Sequence, residues 1–265
     1  DDKIYNPLPS TTVSLYGLKN IKTKQPLIVF IHGSGWSLGD ESVLSDYMKL
    51  LASNGYLVAG VNYALAPEHP YPTSTRQIML VMNHLYDFSS KYHIDNNNIY
   101  LMGNSAGAHL ASQLAALITN PDYAYQVNAK PRFSKEVLKG VILYNGVYDF
   151  KQMEHNKFPF FKQFMWSYTA HKDFMTFDRL DELSTLNHVT NDYPATFVSV
   201  GSTDPLHDQT SLFCERLNVC NVECESLIYS DNKIDLNHDF MFDLNEEASQ
   251  TVYEHVICFM KNHQH

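Results

Sequence analysis

The chain has 265 residues, 44% hydrophobic and only 18% charged, with 17 tyrosines and 15 phenylalanines, a composition that excludes intrinsic disorder and supports one large α/β core. Its net charge of −10 argues against nucleic acid or an anionic membrane as a partner. No apolar run reaches transmembrane length, and the four cysteines lack the paired spacing of a zinc site, so no metal is expected.

The first residues, Asp1 to Asn6, show no signal-peptide pattern, and the chain does not begin with methionine. The compartment is therefore left open between the cytoplasm and export. Residues 1 to 25 are polar and broken by Pro7 and Pro9, with an edge strand expected over Val13 to Tyr16. Pro26 to Ile31 is uninterrupted and apolar, as a strand covered on both faces must be. It runs into His32-Gly33-Ser34-Gly35-Trp36, where two glycines free the backbone to turn its N–H groups toward one point. A plain turn is the alternative.

A helix is expected from Ser45 to Asn54, stopped by Gly55, and a buried strand from Tyr56 to Val61. A stiff proline-rich loop, Asn62 to Pro72, leads to a helix over Thr73 to Tyr92 with Ile78, Val81, Met82 and Leu85 on one face. The strand Ile99 to Met102 then meets Gly103-Asn104-Ser105-Ala106-Gly107, and Ala106 to Ile118 has helical spacing. A lone hydroxyl between glycines at a sharp strand-to-helix turn is the pattern of a nucleophile elbow. A glycine-flanked helix cap by Ser105 is the other reading.

Asn120 to Ser134 reads as polar and irregular, and Val137 to Leu143 as a strand. From Phe150 to Val189 the chain is dense in aromatic residues without a strand pattern; because this interrupts the strand-helix rhythm it reads as an apolar cap inserted into one domain spanning 1–265, with a core helix pair as the alternative. A strand over Ala195 to Val200, a helix over Gln209 to Val219 and a strand over Glu223 to Tyr229 follow. The last helix is expected over Glu246 to Lys261. The cysteines read as mostly buried thiols, with a bridge from Cys214 or Cys220 to Cys224 as the alternative.

These motifs, in this order over residues 26 to 240, make the chain resemble the α/β-hydrolase fold, and within it the carboxylesterases related to hormone-sensitive lipase. The loop Gly146-Val147-Tyr148-Asp149 is also similar to that of small-capped feruloyl or acetyl esterases and kynurenine formamidases. The resemblance implies an α/β fold, with a central, mostly parallel sheet of about eight strands and a site at the strand C-termini. It places the nucleophile at Ser105, the acid at Asp204 before Pro205-Leu206, and the base at His238. A serine hydroxyl needs such an imidazole to take its proton, and the carboxylate fixes the imidazole's tautomer.

Asp204 also fits a helix cap, and Asp208 is the rival acid; His207 and His109 lie too near the acid or the nucleophile in sequence to serve as base. By the same resemblance the oxyanion hole falls to Gly33, Ser34, Gly35 and Ala106, with Ser34 replacing a usual glycine and Gly33's part the least defined. His32 is expected to brace the loop. Trp36, Asn104, Phe164 and Trp166 are the candidate substrate contacts, Asn104 also supporting the elbow.

The function so implied is a cofactor-free serine carboxylesterase acting on small or medium acyl esters through an acyl-enzyme. A formamidase or sugar deacetylase would use the same residues. A non-catalytic binding protein on a hydrolase scaffold is the competing class. The expected partner is a small-molecule ester; the sequence is compatible with a homodimer and leaves the oligomeric state open.

Overall fold

The computed structural model describes residues 11–19, 21–230 and 235–264. The lead-in prolines Pro7 and Pro9 lie outside the described residues. Seven strands build one sheet: β1 (Thr12–Tyr16), β2 (Gln25–Ile31), β3 (Leu57–Asn62), β4 (Ile94–Asn104), β5 (Leu138–Tyr144), β6 (Thr196–Val200) and β7 (Cys224–Ile228). Their order is β1-β3-β2-β4-β5-β6-β7, with β1 antiparallel to β3 and every other pair parallel. The described sheet is thus one strand shorter than the expectation of about eight.

β2 is buried at all seven positions because helices cover both sheet faces. Alternate residues serve the two layers. Leu27, Val29 and Ile31 join the larger core beneath α2 (Thr73–Asp87), α3 (Ala106–Thr119) and α7 (His207–Val219). Ile28 and Phe30 join the smaller one beneath α1 (Ser45–Ser53) and α8 (Glu247–Asn262). α3 is buried along its whole length. It lies between the sheet and the aromatic segment 150–189, whose helices are α5 (Phe161–Thr169) and α6 (Leu180–Leu183).

Three expectations need correcting. Asn120 to Ser134 is not wholly irregular: α4 (Pro121–Val127) forms there, with Asn120 accepting from the Tyr123 N–H at 3.2 Å and Pro121 in the first turn. An Asn cap followed by Pro is a helix start, outweighed in the sequence by the polar run. β4 begins five residues earlier than its apolar core, because Ile94 and Asp95 pair with Gln25 and Pro26 ahead of a register shift. α2 stops at Asp87, short of Tyr92. Cys214, Cys220 and Cys224 are half-buried free thiols, and Cys258 is exposed.

The β4–α3 junction leaves no room for side chains. A β-carbon on Gly107 would lie 2.0 Å from the Ile31 carbonyl oxygen, and one on Gly103 would lie 2.4 Å from the Gly107 oxygen. Both obstacles are backbone and cannot turn aside. Gly107→Ala is expected to destabilise the fold by about 3 kcal/mol or more, as a lowered urea midpoint checks; a loss below about 1 kcal/mol would show that the junction yields.

Candidate active site

Ser105 joins β4 to α3 with φ 52° and ψ −121°, a backbone conformation that an L-residue rarely adopts. Strain of this kind costs about 1–3 kcal/mol. Burial of Leu110, Leu114 and Leu117 on α3 contributes about 2 kcal/mol for each side chain, so packing holds the turn. The Ser105 N–H donates to the Tyr144 carbonyl at 2.8 Å. This leaves the side chain, 8% exposed, at the C-terminal edge of the sheet.

The loop after β2 faces it. Ser34, Gly35 and Trp36 take φ values of 75°, 62° and 58°, so three consecutive positive-φ residues coil the backbone tightly. Among the described residues, the N–H groups of Ser34, Gly35 and Ala106 have no acceptor. Gly33 is different. Its N–H donates to Asn104 Oδ1 at 3.1 Å and is thereby withdrawn from the cavity, which removes Gly33 from the expected oxyanion donors. His32 braces the loop as expected: its ring stacks on Tyr63 at 4.5 Å, and Nδ1 bonds the Gly33 carbonyl at 3.0 Å.

His238 follows β7, and its Nδ1 lies 2.8 Å from Oδ2 of Asp204, whose side chain is fully buried. Asp204 also accepts from the Leu206 N–H at 2.7 Å. Asp208 is fully exposed and reaches only His207, at 3.5 Å. With Nδ1–H donated to the carboxylate, Nε2 carries the ring's lone pair. Burial draws the His238 pKa down, but the Asp204 hydrogen bond and the charges of Asp239 and Asp204 outweigh it and leave the pKa above 6.5.

Ser105, His238, Ser34 and Gly35 line one cavity of about 590 Å³. The Ser105 hydroxyl makes no hydrogen bond to the imidazole among the described residues. Instead the Asn145 amide nitrogen stands 3.0 Å and 3.2 Å from the two ring nitrogens. His109 holds no usable lone pair: it accepts from Trp36 Nε1 at 3.1 Å, donates to the Leu183 carbonyl at 2.9 Å, and burial lowers its pKa to about 4.

Of the candidate substrate contacts, Phe164 lines the cavity, and a β-carbon on Gly35 would strike its ring at 2.4 Å. Trp36 is 3% exposed, bonded to His109 and stacked on Tyr168 at 4.8 Å, which makes it a brace under the aromatic segment. Trp166 is half exposed, lies outside the cavity and has Lys172 over its ring. Asn104 is 4% exposed and spends its side chain on Gly33 and Asp239. Trp166 and Asn104 are removed from the set of contacts, while Trp36 reaches the site only through the small recess beside Ser105 that it helps to line.

The sequence reading passed over Asp239, Asn145, Leu38 and Phe158. The first two had a signal, Asp239 as the neighbour of His238 and Asn145 as the residue after a buried strand. Phe158 stands in the aromatic run read as a cap, and Leu38 has no such signal.

A family model described as BD-FAE matches residues 13–217. An acetyl esterase of Salmonella schwarzengrund is 25% identical over 241 residues, covering 84% of this chain and 68% of that protein. A protein of Acanthamoeba polyphaga mimivirus named for the α/β hydrolases is 24% identical over 230 residues, 84% of this chain. The chain spans 63% of that relative's length, less than two thirds. Among solved structures, esterase B from Lactobacillus rhamnosis superposes with a TM-score of 0.80 at 23% identity, covering 95% of this chain and 81% of that one. That likeness is one of fold. With the family model matched over most of its length, the chain belongs to the BD-FAE family and has the α/β-hydrolase fold of the hormone-sensitive-lipase-like group that its motifs resemble.

Proposed function

We propose that the protein is a serine carboxylesterase that cleaves esters of short acyl groups through an acyl-enzyme on Ser105. The observation that carries this is the His238–Asp204 contact of 2.8 Å beside a cavity that His238 shares with the positive-φ Ser105. His238 Nε2 takes the Ser105 proton as Oγ attacks the acyl carbon, and Asp204 holds the ring and stabilises the imidazolium. The N–H groups of Ser34, Gly35 and Ala106 receive the negative oxygen of the tetrahedral intermediate, each donor contributing on the order of 3 kcal/mol. The imidazolium then protonates the leaving alcohol. Water, activated by the same nitrogen, frees the acid. No step calls for a cofactor.

Leaving group and acyl group are separated by this chemistry. The alcohol must lie on the His238 side, because that ring gives it a proton. A recess of about 10 Å³ beside Ser105 and Ala106 is lined by Trp36, Val147, Phe158, Phe161, Phe164 and Leu206, and the acyl group is assigned to it. So small a space favours acetyl and formyl groups over longer chains, which narrows the expectation of small or medium acyl esters and keeps the formamidase reading beside the esterase one. The segment 150–189 acts as the cap, since Phe158, Phe160 and Phe164 form the cavity wall.

A fluorophosphonate is expected to label the wild type and not Ser105→Ala, and p-nitrophenyl acetate to be cleaved only by the former. Failure of the wild type to label or to cleave would leave the binding-protein reading in its place.

The reactive form of His238 is neutral, so kcat/KM is expected to fall as pH drops through its raised pKa, with the acid limb above 6.5. Asp204→Asn should lower kcat by about 10³–10⁴ while Asp208→Asn retains most of it; the opposite result would reassign the acid.

Phe164→Ala should raise the kcat/KM of butanoyl relative to acetyl esters by roughly tenfold, the scale of a methylene or two in an apolar pocket. An unchanged ratio would place the acyl group elsewhere.

A further inference from the structure

Beyond its charge on His238, Asp239 has no assigned role in the chemistry above, yet its backbone and side chain are both held in an unusual way. Its φ is 64°, in the left-handed region that glycine or asparagine occupies more readily. Both carboxylate oxygens accept from Asn104 Nδ2, at 3.1 Å and 3.0 Å, and Oδ1 also accepts from Asn145 Nδ2 at 2.8 Å. The two amides orient the group without neutralising it. The side chain stays 36% exposed, with Oδ2 3.9 Å from His238 Nε2.

That position bears on the substrate. Nε2 is the atom that hands the proton to the leaving alcohol, so the ester oxygen must come within hydrogen-bond reach of it. A carboxylate 3.9 Å from the same nitrogen therefore faces the first few atoms of the alcohol. Among the described residues that line the cavity, Asp239 is the only one with a fixed charge, and no lysine or arginine lines it. The cavity wall also includes Phe158 and Phe160, and a ring face turned toward the ligand attracts a cation and repels an anion. The chain's net charge of −10 draws ligands of the same sign as such a cation.

We infer that Asp239 is a specificity-determining residue that selects esters whose alcohol carries a cationic nitrogen two or three carbons from the ester oxygen. The inference rests on the esterase reading and adds the chemical class of the leaving group. Esters of anionic alcohols are rejected by the same carboxylate.

The test compares acetylcholine with its uncharged isostere 3,3-dimethylbutyl acetate, which share the acyl group and differ in one charge. For the wild type at low salt, kcat/KM should favour acetylcholine by roughly five- to tenfold, a partly exposed ion pair's worth, and added salt should narrow the margin. In both Asp239→Asn and Asp239→Gly, the second suited to the positive φ, the ratio should fall to about one. A wild-type ratio of one or less would overturn the inference. So would a ratio that survives both substitutions while the two esters slow together, which would assign the charge of Asp239 to His238 instead. If the wild type cleaves neither ester and a fluorophosphonate leaves Ser105 unlabelled, the esterase reading itself fails and takes this inference with it; labelling with a ratio of one sinks the inference alone.

Discussion

The backbone of β2 runs so close to the start of α3 that only hydrogen fits on the Gly107 α-carbon: a methyl group there would lie 2.0 Å from the Ile31 oxygen and 2.6 Å from the His32 oxygen. That approach brings the end of one strand against the turn that follows another. Ser105 is pressed into its positive φ by the same contact, because β4 has to reverse into α3 within one residue. The loop His32 to Trp36 begins where β2 ends, so the proposed nucleophile and the proposed oxyanion donors are set against each other by a single packing constraint. The cost of the turn is a few kcal/mol at most, against the burial of an entire helix.

Side chains then lock the loops to one another. Asn104 accepts from the Gly33 N–H and donates to Asp239, linking the β2 loop to the loop that carries His238. Asn145, at the end of β5, donates to Asp239 as well, and its own N–H bonds the Ser199 carbonyl on β6. Two amides thus tie four strand ends together. They can do so because an amide offers a donor and an acceptor on one rigid plane, where a carboxylate at position 104 would face Asp239 with like charge.

The aromatic segment is fastened on its far side. Trp36 bonds His109 and stacks on Tyr168, His109 bonds the Leu183 carbonyl, and the Tyr71 N–H bonds the Tyr168 carbonyl. Burial keeps His109 neutral well below physiological pH, so this column of contacts does not titrate with His238. The wall of the cavity is consequently held by groups whose charge state is constant across the range in which the proposed base changes its own.

Much of the architecture was legible because hydrophobic runs repeat with the right period. Buried strands at 26–31, 99–102 and 195–200, the glycine pair around Ser105, and the order of Ser105, Asp204 and His238 are all local features, written in consecutive residues. Such features determine which elements form and which residue types stand at strand ends. Four matters were decided only by tertiary packing. Asp204 is the partner of His238 and Asp208 faces solvent, although both lie just before or within the same helix start. Gly33 loses its N–H to a side chain 71 positions away. Of three aromatic candidates, Phe164 lines the cavity, Trp36 is covered and lines only the small recess beside Ser105, and Trp166 turns outward. Asp239 meets two asparagines from different strands. Each of these depends on distances between segments remote in the chain, and no spacing along one segment records the direction in which a side chain meets another.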